Sequence, residues 1–517
     1  MRKTWTKGES PGKVRMDFML LLLQKLRSGW MLAWLVMAIP VIAIGQNAFS
    51  PGGPDYKIVG SLPGDQVWPN AAINTNGGYL VWQDNSIGTN GFNVRAVRLS
   101  TGLGQAGTPF RVNAQTVGEH EKPQVALLNN GGAVFVWQGG KPGYQKIYAR
   151  FLNAAGSFTT TTDILVNTYT NEFQITPDVA TLANGNVIVV WASYGQDGDL
   201  QGIFGQLFSP SGTKIGGEFQ INQWPYGNQR TPAVAALANG NFVVTWVSEL
   251  QRSSSSIDVY ARLFDSTGVP ISNEFPINLT TSNICANPAV AGSPQGGFAI
   301  VWGQNDNVAL TQGSRDGVVV SGVPTRRSTN SWDVFMRIYN ADGVPMTSPF
   351  LLNTWRFGDQ FAPKLSAFGP NYLAVWTSLG QDTHWEGVFG QFVSSSGGLE
   401  GVEFQVNTTP ISRQIHPTVT TDGVSRFLVL WTSFGAGTSF DLFARQYDLI
   451  RLELTPTQEG IVLSWNTKPG SVYQVQTSTN YATWSNYGAA RTATGFSDSV
   501  TIPASNNAAF FRVIRVQ

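Results

Sequence analysis

The carboxylates of this chain are its best candidates for acid–base chemistry. Four of them fall in loops that are candidates to hold a pair of carboxyl groups. Two carboxyl groups on either side of a glycosidic bond can supply the acid and the base or nucleophile that its hydrolysis needs. The sequence does not bring any two of the four within reach of each other, so the catalytic residues stay unknown at this point. The four are Asp65, Asp359, Asp382 and Glu386.

A second set of polar side chains recurs at one position, three residues before a repeated proline. Amides both donate and accept hydrogen bonds, so a ring of them suits a sugar or peptide ligand. This set, together with Trp385, is a candidate for binding such a ligand. The alternative is that each amide hydrogen-bonds loop backbone and joins neighbouring repeats. The set comprises Gln66, His120, Gln174, Gln229, Gln360 and Gln414.

Metal and cofactor chemistry finds little support in the sequence. The three histidines, His120, His384 and His416, lie far apart and lack metal-ligand spacing, so we predict no zinc site. Asp197 and Asp199 are a candidate calcium loop, but regularly spaced further oxygen ligands are missing, and a solvated turn is the alternative. No nucleophile elbow or phosphate-binding glycine loop is present, so we predict no cofactor.

The elements that must position these side chains are set by a phrase that occurs seven times. Each copy begins with a proline, continues through a Gly/Asn-rich turn and an apolar run, and ends in tryptophan 13 or 14 residues later. The copies recur every 54 to 56 residues, except for one interval of 75. The prolines are Pro69, Pro123, Pro177, Pro232, Pro288, Pro363 and Pro417, and the tryptophans are Trp82, Trp137, Trp191, Trp246, Trp302, Trp376 and Trp431.

Each copy contains four short apolar segments, which is the strand count of one propeller blade. In the third copy these are 178–186, 187–191, 203–208 and 218–222. The seventh copy lacks its fourth segment, whereas 56–59 precedes the first copy in fourth-strand register. We therefore predict an all-β fold, a seven-bladed β-propeller over residues 55–449 that is closed by its N-terminal strand. The buried tryptophans then pack one blade against the next.

Residues outside the repeats predict further units. Residues 1–45 combine a basic stretch with an apolar run from Trp30 to Gly45, typical of a signal peptide cleaved near Gly45–Gln46. An uncleaved membrane anchor is the alternative. Residues 46–54 are expected to be a linker, and the strand pattern of 450–517 predicts a small β-sandwich of fibronectin III type. About twenty extra residues within 306–332 follow Trp302, as a binding loop or a tolerated surface insertion.

Charge and composition limit the partners. Outside residues 1–45 the chain carries 26 basic and 30 acidic residues without a Lys/Arg cluster, so we predict no nucleic-acid partner. Cys285 is the only cysteine, which rules out an intrachain disulfide. We expect a secreted or cell-surface monomer, with membrane contact only if the N-terminal segment is uncleaved.

The repeat phrase and the C-terminal segment both resemble parts of known exported proteins. The phrase Glu-Phe-Gln-Val-Asn … Pro-x-Val-Ala-x-Leu-x-Asn-Gly-Asn … Val-Val-x-Trp resembles repeats of secreted or surface bacterial proteins. The stretch from Leu463-Ser-Trp465 through Tyr473-Gln-Val-Gln-Thr to Phe510-Phe-Arg-Val513 is similar to terminal modules of exported environmental-bacterial proteins. Together the resemblances cover about residues 55–517, and they imply architecture and location more than activity.

These observations favour a non-enzymatic function. A rigid ring without a catalytic signature, with amide and aromatic side chains on one face, predicts an exported binding or scaffold protein for a glycan or protein ligand. The alternative is a carbohydrate-active hydrolase or lyase with acidic residues at the mouth of the propeller channel. Converging carboxylates with a perturbed pKa would distinguish the enzyme from the binding protein.

Overall fold

The computed structural model describes residues 44–46, 48–86, 91–305, 332–434, 439–480, 483–503 and 510–516. Every regular element in these ranges is a β-strand, which confirms the all-β prediction. The leader up to residue 43 and the insertion at 306–331 lie outside the described residues. Within the described ranges, no helix long and apolar enough to cross a membrane is found.

Seven antiparallel groups of strands follow one another along the repeats, with strands in the order of the sequence. We call each group a sheet, although the parallel pairing of Ile257 with Ile284 joins the fourth and fifth into one eight-stranded sheet. The first three comprise β4 (Gln66–Asn74), β5 (Gly77–Asp84), β6 (Asn93–Leu99) and β7 (Gln105–Arg111); β8 (Glu119–Leu127), β9 (Ala133–Gly140), β10 (Lys146–Leu152) and β11 (Ile164–Leu165); β12 (Gln174–Thr181), β13 (Val187–Tyr194), β14 (Gln201–Phe208) and β15 (Lys214–Gln220).

The fourth to sixth sheets repeat the same arrangement. They comprise β16 (Gln229–Ala236), β17 (Phe242–Glu249), β18 (Ile257–Phe264) and β19 (Phe275–Pro276); β20 (Ile284–Gly292), β21 (Phe298–Asn305), β22 (Trp332–Tyr339) and β23 (Phe350–Leu351); β24 (Gln360–Phe368), β25 (Asn371–Leu379), β26 (Glu386–Ser394) and β27 (Leu399–Gln405). The seventh comprises β28 (Arg413–Thr421), β29 (Arg426–Phe434) and β30 (Phe440–Ile450), to which β2 (Ala48–Pro51) and β3 (Tyr56–Lys57) add.

The second strand of each sheet forms the core because both of its faces are covered by neighbouring sheets. Its apolar residues form a continuous run, as expected for strands buried on both faces. The tryptophan of each run is buried, and all seven rank among the largest fully buried side chains. Trp191, for example, packs with residues of the second and third sheets, including Ile147 and Phe204. The tryptophans therefore join adjacent sheets rather than face solvent.

The first strands of successive sheets lie side by side around a common centre. β4 contacts β8, and the same contact recurs from sheet to sheet until β28 contacts β4. The N-terminal segment joins the seventh sheet at its outer side, where Tyr56 pairs with Ala444 and Lys57 with Phe443. Ile58 and Val59 then enter the core between the seventh and first sheets.

The C-terminal residues form two further sheets with their own core around Trp465, Tyr473 and Phe511. One sheet comprises β31 (Leu452–Thr457), β32 (Gly460–Asn466) and β36 (Ser497–Pro503). The other comprises β1 (Ile44–Gln46), β33 (Val472–Ser478), β34 (Ser485–Asn486), β35 (Arg491–Thr492) and β37 (Phe510–Arg515). The fibronectin III type stays a prediction.

Two short strands lie at the end of the predicted leader and in the predicted linker. Residues 44–46 pair in parallel with β37, and residues 48–51 pair with β30. Arg515 reinforces this junction, since its guanidinium bonds to the Pro51 carbonyl at 3.1 Å and to Asp448 at 2.9 Å. The N-terminal residues therefore contact both the repeat sheets and the C-terminal unit. The local sequence does not predict this link.

Candidate functional site

The seven repeated prolines surround a cavity of about 190 Å³ where the first strands of the repeats meet. The residue before each proline lines it as well, and so does the residue after every proline except Pro288. They are Trp68, Asn70, Lys122, Gln124, Thr176, Asp178, Thr231, Ala233, Asn287, Ala362, Lys364, His416 and Thr418. We call this the central cavity. Because each repeat contributes the same positions, the cavity has a repeated backbone but different side chains in every sheet.

A β-bulge at each proline turns these side chains inward. Proline has no N–H for the ladder, so a strand accommodates it at an irregularity. In all seven first strands the register shifts at the proline, as between Val67 and Asn70. The residue before each proline has a positive φ of 49° to 54°, which for residues other than glycine costs about 1–3 kcal/mol. Strain of this kind, repeated around one cavity, is typical of a functional site.

Aromatic and cationic groups meet where the first and last sheets adjoin. The rings of Trp68 and His416 stack with centroids 3.8 Å apart. The Lys122 ammonium lies over the Trp68 ring, 5.8 Å from its centroid. Trp68 still exposes 40% of its surface, so this cluster forms an open part of the central cavity.

Two lysines and one aspartate give the central cavity its charge. Burial lowers the pKa of Lys122, and the like charge of Lys364 lowers it further against the opposing effect of Glu121. Burial raises the pKa of the Asp178 carboxyl, although Lys364 and two backbone N–H groups act in the other direction. Those two donors are Val234, at 2.8 Å, and Val179, at 3.0 Å. The oxygens of Asp178 thus already accept hydrogen bonds from backbone N–H groups, whereas both lysines line the central cavity.

His416 is neutral at physiological pH. Burial, followed by the charges of Arg413 and Lys122, lowers its pKa to about 4. Its Nδ1 is buried and, among the described residues, has no hydrogen-bond partner. A neutral imidazole with an unused ring nitrogen can accept a proton or bind a ligand hydroxyl.

A second cavity of about 180 Å³ lies between the fifth and sixth sheets, and we call it the side cleft. Its lining comprises Ala286, Asn287, Gly303, Trp332, Asp359, Phe361 and Ala362. Asn287 and Ala362 line both cavities, so the side cleft adjoins the central one. Burial raises the pKa of Asp359, a hydrogen bond from the Trp332 N–H opposes this, and the charge of Asp333 adds to it. Asp359 is therefore a carboxyl group suited to hold and donate a proton.

The other three carboxylates proposed from the sequence do not line either cavity. Asp65 accepts hydrogen bonds from the side chain of Asn85 and from the Phe440 N–H. Asp382 accepts from the His384 N–H and from the Asn407 amide. Glu386 forms a bidentate ion pair with Arg413, at 2.7 and 2.9 Å. The structure thus brings only Asp359 of this set to a cavity, because the other three are engaged in loop contacts.

The six residues of the repeated amide position are buried beneath the loops. The Gln174 amide donates to the Asn171 carbonyl at 2.8 Å, and its oxygen accepts from Asn167 at 3.2 Å. The same contacts recur at Gln229, Gln360 and Gln414, while Gln66 donates to Pro63 and Gly64. His120 contacts the Phe92 carbonyl at 3.1 Å. This geometry corresponds to the alternative in which amides join loops, and the six side chains offer no surface to a ligand.

Trp385 and the calcium candidates lie apart from both cavities. Trp385 is 65% exposed in the loop before β26. Asp197 accepts a hydrogen bond from the Asn222 amide at 3.3 Å, and Asp199 accepts one from the Gly227 N–H at 2.8 Å. Among the residues described, we find no group of three or more His, Cys, Asp or Glu side chains placed to hold a metal ion.

Sequence reasoning missed Lys122, Lys364, Asp178 and Trp68, although a signal for them exists. The proline of each repeat is constant, whereas the pair of residues that flanks it is different in every copy. In a repeat protein, the variable positions beside a fixed structural residue are where one copy can differ chemically from the next. For His416 the spacing of the histidines indicates only that it does not bind a metal. It nevertheless stands directly before a repeated proline, as Lys122 and Trp68 do.

Comparison with known proteins adds structural likenesses only. No protein-family description matches this chain, and no curated protein matches it. The α-L-arabinofuranosidase of Fusarium graminearum is 11% identical, over 78% of this chain and 98% of that chain, with a TM-score of 0.39. The α-L-arabinanase of Penicillium chrysogenum is 14% identical, over 78% and 97%, with a TM-score of 0.39. The polysaccharide lyase Uly1 is 10% identical, over 76% and 90%, with a TM-score of 0.42.

The predicted non-enzymatic function needs correction. These similar structures are an arabinofuranosidase, an arabinanase and a polysaccharide lyase, which contradicts the prediction of a binding or scaffold protein without activity. They belong to the class that the sequence left as its alternative. At TM-scores below 0.5 they assign no residue and no substrate to this chain, so the chemistry has to come from its own cavities.

Proposed function

We propose that this protein is an exported carbohydrate-active hydrolase or lyase that works where the central cavity meets the side cleft. Its seven repeat sheets are, in this proposal, the blades of a propeller closed by the N-terminal strand. The contact of β28 with β4 and the pairing of Tyr56 with Ala444 support closure. The leader composition supports export, and a polysaccharide is the partner.

One observation carries the proposal. Asp359, a carboxyl with a raised pKa, lines a cleft that shares Asn287 and Ala362 with a cavity containing a neutral histidine and a lysine of lowered pKa. Groups whose environments shift their pKa values mark candidate acid–base sites when they converge in a cavity. A carboxyl with a raised pKa on one side and a neutral histidine on the other are candidates for such a pair.

Both reactions begin with the same proton donor. The carboxyl of Asp359 gives its proton to the glycosidic oxygen as the bond from that oxygen to the sugar breaks. In hydrolysis, water adds its oxygen to the sugar carbon and passes a proton to a base such as His416. In elimination, the base instead takes the proton from the carbon that bears the carboxylate, the neighbouring carbon loses the glycosidic oxygen, and a carbon–carbon double bond forms between these two carbons. The two reactions differ in product, so an assay can separate them.

The test is a turnover assay on neutral and acidic polysaccharides. New reducing ends report either reaction, and ultraviolet absorbance of an unsaturated sugar reports elimination alone. Asp359→Asn keeps the shape but removes the acid, so we expect a loss of about 100-fold or more in kcat/KM. The matched control is Asp342→Asn, at an exposed turn between β22 and β23.

The outcomes are distinct. Turnover that falls with Asp359→Asn and stays unchanged with Asp342→Asn supports the site. No turnover of any polysaccharide by the wild-type protein overturns the proposed function. Turnover that Asp359→Asn leaves intact removes Asp359 from the site.

A further inference from the structure

We infer that the central cavity binds an anionic sugar unit, one that carries a carboxylate or a sulfate ester, through Lys122 and Lys364. This inference rests on the proposed function and narrows its substrate class. It follows from the charged side chains that line the central cavity and from the hydrogen bonds that Asp178 already accepts.

The cavity has more positive than negative charge to offer a ligand. Lys122 and Lys364 come from the second and sixth sheets, and both line the same space of about 190 Å³. Two ammonium groups that line one cavity repel each other, and the burial of Lys122 adds to the cost. Of the residues lining this cavity, Asp178 is the one carboxylate, and its oxygens accept the N–H groups of Val234 and Val179. A ligand anion between the lysines relieves the repulsion.

The surroundings of the lysines are suited to a sugar rather than to a bare ion. Trp68 presents an open aromatic surface beside Lys122, and aromatic faces pack well against apolar parts of a ligand. Asn70, Gln124 and Asn287 add amide groups to the lining. A cavity that combines two cations, an aromatic surface and several amides matches a small ring that bears hydroxyls and one acidic group.

The volume sets the size of the bound unit. Pockets for drug-sized ligands measure about 300–1,000 Å³, and the central cavity is smaller than that range. It accommodates one sugar unit, while the rest of a polymer has to extend through the mouth. The side cleft with Asp359 adjoins this position through Asn287 and Ala362. The anionic unit would thus anchor the chain next to the proton donor.

The experiment measures binding by calorimetry, without turnover. Galacturonate and glucuronate are compared with galactose and glucose, with glucose 6-sulfate, and with inorganic sulfate and phosphate. We expect the uronates or the sugar sulfate to bind at least ten-fold more tightly than the neutral sugars, with affinity that falls as salt rises. Lys364→Gln should remove most of this preference, and the exposed Lys468→Gln, in the C-terminal unit, should keep it.

Each outcome bears on the inference. Equal binding of neutral and acidic sugars overturns it, and this comparison needs only the wild-type protein. Inorganic sulfate that binds as tightly as the acidic sugars, with the same dependence on Lys364, also overturns it, since the cavity then holds an adventitious ion only. If Lys364→Gln fails to fold, Lys122→Gln and the salt dependence of the wild type replace it.

Failure here and failure of the proposed function are distinguishable. Selective binding of an acidic sugar without cleavage of any polysaccharide supports the inference and overturns the enzyme. Cleavage of neutral polysaccharides without selective binding of acidic sugars supports the enzyme and overturns the inference. Cleavage confined to acidic polysaccharides supports both, and the ultraviolet signal then shows which reaction takes place.

Discussion

The indole of Trp68 and the imidazole of His416 stack at 3.8 Å although they belong to the first and last repeats of the chain. Each residue stands directly before a repeated proline, and each has a positive φ, of 54° and 52°. Equivalent backbone positions thus become partners at the junction of the two ends of the repeat array. The stack also buries His416 next to Lys122 and Arg413, which fixes its protonation state.

His416 should make the stability of the protein depend on pH. Its pKa is about 4 in the folded protein and 6.5 as its ordinary value, so the unfolded chain binds the proton more readily. The free energy of unfolding should therefore fall as pH drops from 6.5 toward 4, by at most about 1.4 kcal/mol per pH unit. Denaturant melts of the wild type and of His416→Asn measure this. Asparagine tolerates the positive φ and already fills this position at Asn287.

Comparing the wild type with His416→Asn isolates the contribution of His416 to the pH dependence of stability. Asp178 and Asp359 have raised pKa values, so they take up protons more readily when folded and oppose the trend, but they do so in both proteins. Arg413 and Lys122, the charged groups that act on His416, stay protonated over this range. A difference between wild type and His416→Asn that is constant from pH 7 to pH 4 would contradict the assignment.

The Asn–Gln pair between consecutive sheets should contribute measurably to stability. The Asn407 oxygen accepts the Val388 N–H at 2.8 Å, and its amide donates to the Thr409 carbonyl at 3.0 Å and to Gln414 at 3.3 Å. Asn407→Ala leaves these buried groups without a partner, so we expect a loss of about 1–3 kcal/mol in chemical denaturation. Gln295→Ala, at an exposed turn, is the control. Equal midpoints for both variants would refute this role.

The strain at the prolines should show itself at Ala362, which has a φ of 51°. Glycine adopts this conformation without the Cβ clash, which costs other residues about 1–2 kcal/mol. We expect Ala362→Gly to leave the melting temperature unchanged or to raise it. Ala374→Gly, in the regular strand β25, should lower it because glycine there loses buried contacts and gains freedom in the unfolded chain. Equal losses from the two substitutions would mean that the bulge is not strained.

The sequence predicts the scaffold better than the site because the two depend on different distances along the chain. Trp191 ends an apolar run in a short local pattern, and local patterns repeat, so the sheets are visible from the sequence. Lys122 and Lys364 come from different repeats and meet only because equivalent bulges turn them toward one centre. The pairing of Ala48–Pro51 with β30 is likewise a contact between distant segments, which is why those residues look like a linker.

The N-terminal strand should decide whether the repeat array is stable. Removing residues through Gly53 deletes β1 and β2 but keeps the pairing of Tyr56 with Ala444, whereas removing residues through Gly60 also takes Ile58 and Val59 from the core. Each of those two side chains is worth about 1.5–3 kcal/mol when buried, and the shorter chain also leaves an edge of β30 unpaired. The first truncation also removes the pairing of β2 with β30 and the contacts of Phe49 with Phe368 and Phe427. We therefore expect the first truncation to melt below the full chain, and the second to melt further below it and to aggregate. Equal melting temperatures for the two truncations, measured by circular dichroism at matched concentration, would mean that the N-terminal strand does not close the ring.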